Sequence, residues 1–208
     1  MTTLLADPDV VAIPVEDNGD RLVDLATCGI ACAEPGEDRR HVRAGLADRL
    51  MAADAALPPG VRLLVVEGLR TARAQSAVLT GYTRELRATF PWLDDDELRR
   101  MASRYVAPLE VAPHVAGAAV DVTLADAFGR ELWMGTELDA TPEESAGRCA
   151  FDAAVDVEAR RNRSLLAGAL GGAGLVNYPT EWWHWSFGDR YWAFTTGADR
   201  AVYGPVEP

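Results

Sequence analysis

The chain of 208 residues is 49% apolar, enough for a substantial core and below the roughly 250–300 residues at which chains split into domains. Its formal charge of -12 argues against nucleic acid or an acidic membrane as a partner, because either polyanion would be repelled, and leaves a small substrate as the natural ligand. The start Met1-Thr2-Thr3-Leu4-Leu5-Ala6-Asp7-Pro8 lacks the basic and apolar stretches of a signal peptide, and no later run could span a bilayer, so a cytoplasmic protein is expected.

In chain order, a strand is expected near Val10 to Val15, then a loop rich in Gly, Cys and Pro from Thr27 to Gly36. Val42, Leu46, Leu50 and Met51 at helical spacing predict an amphipathic helix over roughly Glu37 to Ala56, with His41 at its surface or boundary; Pro58-Pro59-Gly60 ends it. Arg62 to Glu67 reads as a strand. A helix from about Ala72 to Ala88 follows, and another is opened by Asp94-Asp95-Asp96-Glu97, acids that suit the positive end of a helix dipole. Ala118 to Leu124 and Arg130 to Met134 predict two strands around the turn Asp126-Ala127-Phe128-Gly129. Val155 to Leu170 predicts a long helix stopped by Gly171-Gly172-Ala173-Gly174, which is no phosphate loop because no Gly-Lys-Ser/Thr follows. Trp182 to Phe187 and Arg190 to Phe194, joined through Gly188-Asp189, are the last strands. Repeats and linkers are absent, so the expected class is α+β in a single domain over residues 1–208. Cys28, Cys32 and Cys149 make no paired thiolate motif and are expected as reduced thiols. The oligomeric state stays open, a homo-oligomer included.

Scarce metal-binding side chains gather in two motifs. His114-Val115-Ala116-Gly117-Ala118-Ala119-Val120-Asp121 and Glu181-Trp182-Trp183-His184-Trp185 hold two of the three histidines in the chain. Two neutral imidazoles and one carboxylate, from His114, His184 and Asp121, make a three-ligand set for one Zn²⁺ with a fourth position open, as in catalytic zinc sites. Strand alternation puts Asp121 with Ala119 and Thr123, away from Val120, Val122 and Leu124. Glu181 is a spare acid beside the metal. On a regular strand it would point away from His184, so it shares the site only if the chain after Pro179 is not yet extended or a bulge intervenes.

These residues resemble the zinc D-alanyl-D-alanine dipeptidases, the family that includes the vancomycin-resistance dipeptidases. The family pattern Ser-x-His-x-x-Gly-x-Ala-x-Asp matches His114, Gly117, Ala119 and Asp121, with Ala112 in place of the serine. Asn162-Arg163-Ser164-Leu165-Leu166 and the run from Tyr178-Pro179-Thr180-Glu181 through Gly188-Asp189-Arg190-Tyr191-Trp192 are similar almost residue for residue, and Met134-Gly135-Thr136-Glu137-Leu138-Asp139 resembles a third family segment. The resemblance implies a central, mostly antiparallel sheet flanked by helices, shared with zinc DD-carboxypeptidases and the Hedgehog fold. It further implies His114, Asp121 and His184 as Zn²⁺ ligands, Glu181 as general base and acid, and Arg70 as the group that stabilises the transition state. Without the resemblance, an ion pair with Glu67 is the simpler role for Arg70.

A free dipeptide carries an ammonium and a carboxylate, and Asp139 is the candidate for the ammonium; a solvated loop carboxylate is its plainer role. Trp182, Trp183 and Trp185 are expected as core and pocket wall. The chain departs from the family at Leu25, Ile30, Thr71 and Ala112; Leu25 and Ile30, if they line the pocket, make it more apolar. The implied activity is hydrolysis of D-Ala-D-Ala, which would deplete or recycle the cell-wall terminus bound by glycopeptide antibiotics. Two alternatives are a related zinc dipeptidase or amidase with another small substrate, and a zinc-stabilised binding domain without activity.

Overall fold

The computed structural model describes residues 2–33 and 37–206. Pro8 in the first turn starts a short helix, α1 (Pro8–Val11), because its fixed φ suits that position and its missing N–H is not needed there. Then come β1 (Leu22–Asp24), β2 (Ala31–Cys32), β3 (His41–Arg43), α2 (Ala44–Ala55), β4 (Val61–Glu67), α3 (Ala72–Thr89), α4 (Asp95–Ala102), β5 (Ala119–Asp126), α5 (Val157–Gly172), β6 (Val176–Asn177), β7 (His184–Ser186) and α6 (Arg190–Thr196). The main sheet has the order β2-β4-β5-β7-β6 and is parallel only between β2 and β4; β1 and β3 form a separate antiparallel pair. This is the expected α+β architecture. No helix among the described residues is long and apolar enough to cross a membrane.

β5 is the middle strand and is buried from Ala119 to Ala125. Val120, Val122 and Leu124 join Leu63 and Val65 of β4, Leu46 and Leu50 of α2, and Leu166 and Leu170 of α5 in the main core. Fully burying each such side chain contributes about 1.5–3 kcal/mol. A bulge in β4 alters this alternation: Val65 pairs with Val122, yet Glu67 rather than Val66 pairs with Asp121. Glu67 is thereby shifted from the core face onto the face of Asp121.

Several elements differ from the sequence reading. Val10 and Val11 are helical, and Val15 retains only a bridge to Ala201. Residues 41–43 are strand, so His41 does not lie on a helix. The cause is tertiary: buried Arg43 donates to the carbonyls of Ala116, Asp20 and Gly204 and pairs with Asp17, which holds the segment extended against β1. The end of the predicted loop, residues 34–36, lies outside the described residues. Arg130 to Met134 makes one bridge, Glu131 to Ala125, instead of a strand. Arg190 to Thr196 is helical because Asp189 accepts from the backbone N–H groups of Tyr191 and Trp192, an N-cap that alternation alone conceals. β4, α3, β5 and α5 stand within a few residues of their predicted limits, and Asp94 with Glu97 forms a reciprocal capping box on α4.

The stretch from Met134 to Phe151, which carries Asp139, has no regular structure, and one side chain ties down both of its ends. Arg163 of α5 is 1% exposed and donates to the carbonyls of Met134, Arg148, Ala150 and Phe151 at 2.6–3.0 Å. Burial lowers its guanidinium to about 10, so it stays protonated at neutral pH. Arg163→Met should cost about 3 kcal/mol or more, since each buried carbonyl left without a partner costs about 1–3 kcal/mol. Urea denaturation checks this; a loss below 1 kcal/mol would show that the segment is held by other contacts.

Candidate metal centre and cleft

Three elements bring the predicted ligands together. Asp121 of β5 and His184 of β7 are direct cross-strand partners. His114 sits in the 3₁₀ turn Pro113–Ala116, which Gly117 closes at φ +62°. The chain before β7 is not extended: Glu181 N–H donates to Tyr178 O, and His184 N–H to Glu181 O. Asn177 braces this turn by donating to the carbonyls of Glu181 and His184. Glu181 is thus carried to the His184 side, with Oε2 3.8 Å from His184 Nδ1. Of the two ways for Glu181 to reach the site, the unextended chain is the one realised.

His114 Nε2 lies 3.1 Å from His184 Nδ1 and 3.3 Å from Asp121 Oδ2, while His184 Nδ1 lies 3.1 Å from Asp121 Oδ1. Ligand atoms about 2.0–2.2 Å from a tetrahedral ion lie roughly 3.3–3.6 Å apart. The donor triangle therefore fits a four-coordinate cation. His114 Nδ1–H donates to Gly68 O at 2.7 Å, which leaves the Nε2 lone pair facing the triangle, the usual outer support of a metal-binding imidazole.

The surrounding charge also favours a cation. Asp121, Glu67 and Glu181 are each at most 5% exposed. For Asp121 burial works against ionisation, but His114 and His184 outweigh it and hold the carboxyl far below its usual range. For Glu67 burial is outweighed in the same way by Arg70. Glu181 has no such partner: burial, then the charges of Asp121 and Asp139, push it well above the ordinary carboxylate range. Burial lowers His184, whereas at His114 the charge of Asp121 overcomes burial and raises the imidazole.

Arg70 makes the expected ion pair with Glu67 and also lies beside the triangle. Its Nε and Nη2 make a bidentate pair with Glu67 at 3.0 and 2.5 Å, Nη1 donates to Gln75 Oε1 at 3.0 Å, and Nη2 lies 3.9 Å from Asp121 Oδ2. It therefore points at the triangle while being ion-paired, and Glu67 keeps it firmly protonated despite burial. Asp139 lies at the cleft mouth with φ +63°, a conformation that non-glycine residues seldom adopt. Tyr105 Oη donates to its carbonyl at 2.9 Å. Protein mass on its cleft side, together with Asp121 and Glu67, raises the Asp139 carboxyl to about 6.

These groups line a cavity of about 150 Å³ that Leu5, Tyr105, Tyr178 and Trp183 also wall. It is small against the roughly 300–1,000 Å³ of pockets for drug-sized ligands. Trp183 is pocket wall, and Trp182 and Trp185 are core, as expected. The expectation that Leu25 and Ile30 make the pocket more apolar does not hold: both are buried in the main core. Thr71 caps α3 through Ala74 N–H, and Ala112 packs with Leu4, Leu5 and Val10. Gln75, Tyr105 and Tyr178 were not singled out from sequence. Gln75 and Tyr105 sit in and after helices with no motif around them, whereas Tyr178 opens the segment that carries Glu181.

Comparisons with known proteins identify the family of this chain. The sequence model of a peptidase family described as D-ala-D-ala dipeptidase matches residues 37–196. A D-alanyl-D-alanine dipeptidase from Synechocystis sp. is 26% identical over 242 aligned positions, covering 95% of this chain and 96% of that protein. Another from Escherichia coli is 39% identical over 82 residues, covering 39% of this chain and 41% of that protein. The solved structure of the LdcB LD-carboxypeptidase, described for its peptidoglycan recognition, superposes with a TM-score of 0.41 at 18% identity, covering 89% of this chain and 76% of that one.

Two outcomes follow from the local geometry. A Cβ on Gly68 would stand 2.7 Å from His41 O and 3.0 Å from Arg39 O, both backbone atoms that cannot swing away. Gly68→Ala should displace the carbonyl that orients His114 and weaken the affinity of the triangle for a divalent cation, with Zn²⁺ as the probe, by about 10–100-fold in a competition titration; unchanged affinity would show that His114 is oriented without it. Second, Glu181 holds its proton more tightly folded than unfolded. In metal-free protein its contribution to stability therefore falls as pH rises from the ordinary glutamate value through the folded value, by up to about 1.4 kcal/mol per pH unit. Metal-free Glu181→Gln should match the wild type near pH 4 and melt above it at pH 8, and an equal gap at both pH values would contradict the assignment.

Proposed function

Because the chain belongs to the D-ala-D-ala dipeptidase family and is a peptidase, we propose that it is a zinc-dependent dipeptidase that hydrolyses D-Ala-D-Ala to two D-alanines, acting as one domain over residues 1–208. The observation that carries this reading is the donor triangle of His114, Asp121 and His184 with the Glu181 carboxyl beside it in a small cavity. Two relatives named D-alanyl-D-alanine dipeptidase support the choice of substrate.

When bound, zinc supplies Lewis acidity and a water that is nucleophilic near neutral pH. Glu181 takes a proton from the attacking water and delivers it to the amide nitrogen as the C–N bond breaks, so one carboxyl acts first as base and then as acid. A cation beside Glu181 also favours its carboxylate form, which its present neighbours disfavour. Arg70, permanently charged and braced by Glu67 and Gln75, faces the negative charge that develops on the carbonyl oxygen. Asp139 receives the substrate ammonium, and pairing with that cation offsets the burial and the like charges that raise its carboxyl.

The departures from the family pattern give no reason to change the substrate, since Leu25 and Ile30 are core, Thr71 is a helix cap and Ala112 packs under the N-terminal segment. In a cytoplasmic setting the reaction would deplete or recycle the dipeptide that ends cell-wall precursors, the terminus bound by glycopeptide antibiotics. Zinc-loaded protein should release D-alanine from D-Ala-D-Ala. Glu181→Ala should lower kcat by about 10²–10⁴-fold, and a chelator should abolish turnover. No release with zinc demonstrably bound would sink this substrate, and a panel of D,D, L,D and L,L dipeptides would then identify the one accepted.

A further inference from the structure

A free dipeptide presents a carboxylate one residue beyond its scissile carbonyl, and the cleft is short of groups to receive it. Its ionisable lining is dominated by the carboxyls of Glu67, Asp121, Asp139 and Glu181; the cationic side chains there are Arg70 and Arg39. Arg70 is already assigned to the scissile carbonyl oxygen and is held there, with Nε and Nη2 on Glu67 and Nη1 on Gln75. Ala112 offers no donor and is buried against Leu4, Leu5 and Val10.

Arg39 also touches Glu67 but is far more exposed than Arg70. Its Nε lies 3.2 Å from Glu67 Oε1, and among the described residues its terminal nitrogens make no hydrogen bond. The side chain is 53% exposed, so it can swing over the cleft without breaking a buried contact. Its backbone, by contrast, is fixed: Gly68 N–H donates to Arg39 O at 2.6 Å, and Gly68 O accepts from His114. One residue, Gly68, therefore sets the position of Arg39 relative to the donor triangle. Contacts run from Arg39 through Glu67 and Arg70 to Asp121 at 3.2, 2.5 and 3.9 Å. Asp139 enters from a different wall, on the segment held by Tyr105.

From this arrangement we infer that Arg39 is a specificity-determining residue, whose two terminal nitrogens clamp the C-terminal carboxylate of the substrate while Asp139 takes the ammonium. A guanidinium matches a carboxylate in two parallel hydrogen bonds, which gives direction as well as charge. The enzyme would then accept free dipeptides and discriminate against substrates whose C-terminus is blocked or continues. This inference rests on the dipeptidase reading above and adds to it the group that measures substrate length.

The test compares kcat/KM for D-Ala-D-Ala and for its C-terminal amide, with zinc-loaded wild type and Arg39→Gln. In the wild type the free acid should be preferred. In Arg39→Gln the acid-to-amide ratio should fall about tenfold, the low end for a charged hydrogen-bond pair because the site is half exposed. The fall should come through KM for the acid, with the amide unaffected. If Arg39 instead only steadied Glu67 and Arg70, both peptides would suffer alike; an unchanged ratio overturns the inference while leaving the dipeptidase reading intact. Turnover of neither peptide by the wild type removes the dipeptide substrate, and the clamp with it.

Discussion

Like charges crowded on one buried face of a sheet are the constraint that the rest of this molecule answers. Glu67, Asp121 and Glu181 converge with little water to dissipate their repulsion, and an ionised carboxylate stripped of water costs several kcal/mol unless something positive compensates it. Arg70 answers Glu67, and two imidazoles answer Asp121. Glu181 is left over, and its raised proton affinity is the sign of a deficit that a divalent cation would fill. Cross-strand register creates the crowding. The pairing of Asp121 with His184 and the bulge that pairs Glu67 with Asp121 set three polar side chains in one row, whereas uninterrupted alternation would have left Glu67 among the valines and leucines.

Much of the fold was legible because the relevant signals are local. Alternation in β5 placed Asp121 opposite Val120 and Val122, the acidic cluster marked the start of α4, and glycines marked the end of α5. The errors share a physical cause, which is that distant contacts decide the local conformation. Residues 41–43 read as helix by spacing but are pulled straight by the hydrogen bonds of Arg43 to segments up to 161 positions away. Residues 190–194 read as a strand, yet two hydrogen bonds to Asp189 start a helix there.

In the site, His114, Asp121, His184 and Glu181 could be named from composition and spacing because histidines are scarce here. Glu67 could be proposed only as an ion-pair partner for Arg70, since a bulge leaves no mark in the residue pattern. Gly68 was invisible for a similar reason: its importance lies in its backbone. Its N–H holds the Arg39 carbonyl in the 3₁₀ turn before β3, its carbonyl holds His114, and its missing side chain lets the two approach.

The wall of the cavity formed by Leu5 bears on how the protein comes into being. Leu5 N–H donates to Tyr178 Oη across 173 positions, and Ala6 N–H donates to Ser103 Oγ across 97. Closing loops of that length is slow, and it must await the distant partner. During synthesis the segment bearing Leu5 and Ala6 is therefore made well before the partners it docks against. The cavity stays open on that side until the segment bearing Tyr178, Glu181 and His184 has been synthesised and folded. Wall and reactive groups are completed together, so no partial chain can present a finished cleft to the peptides around it.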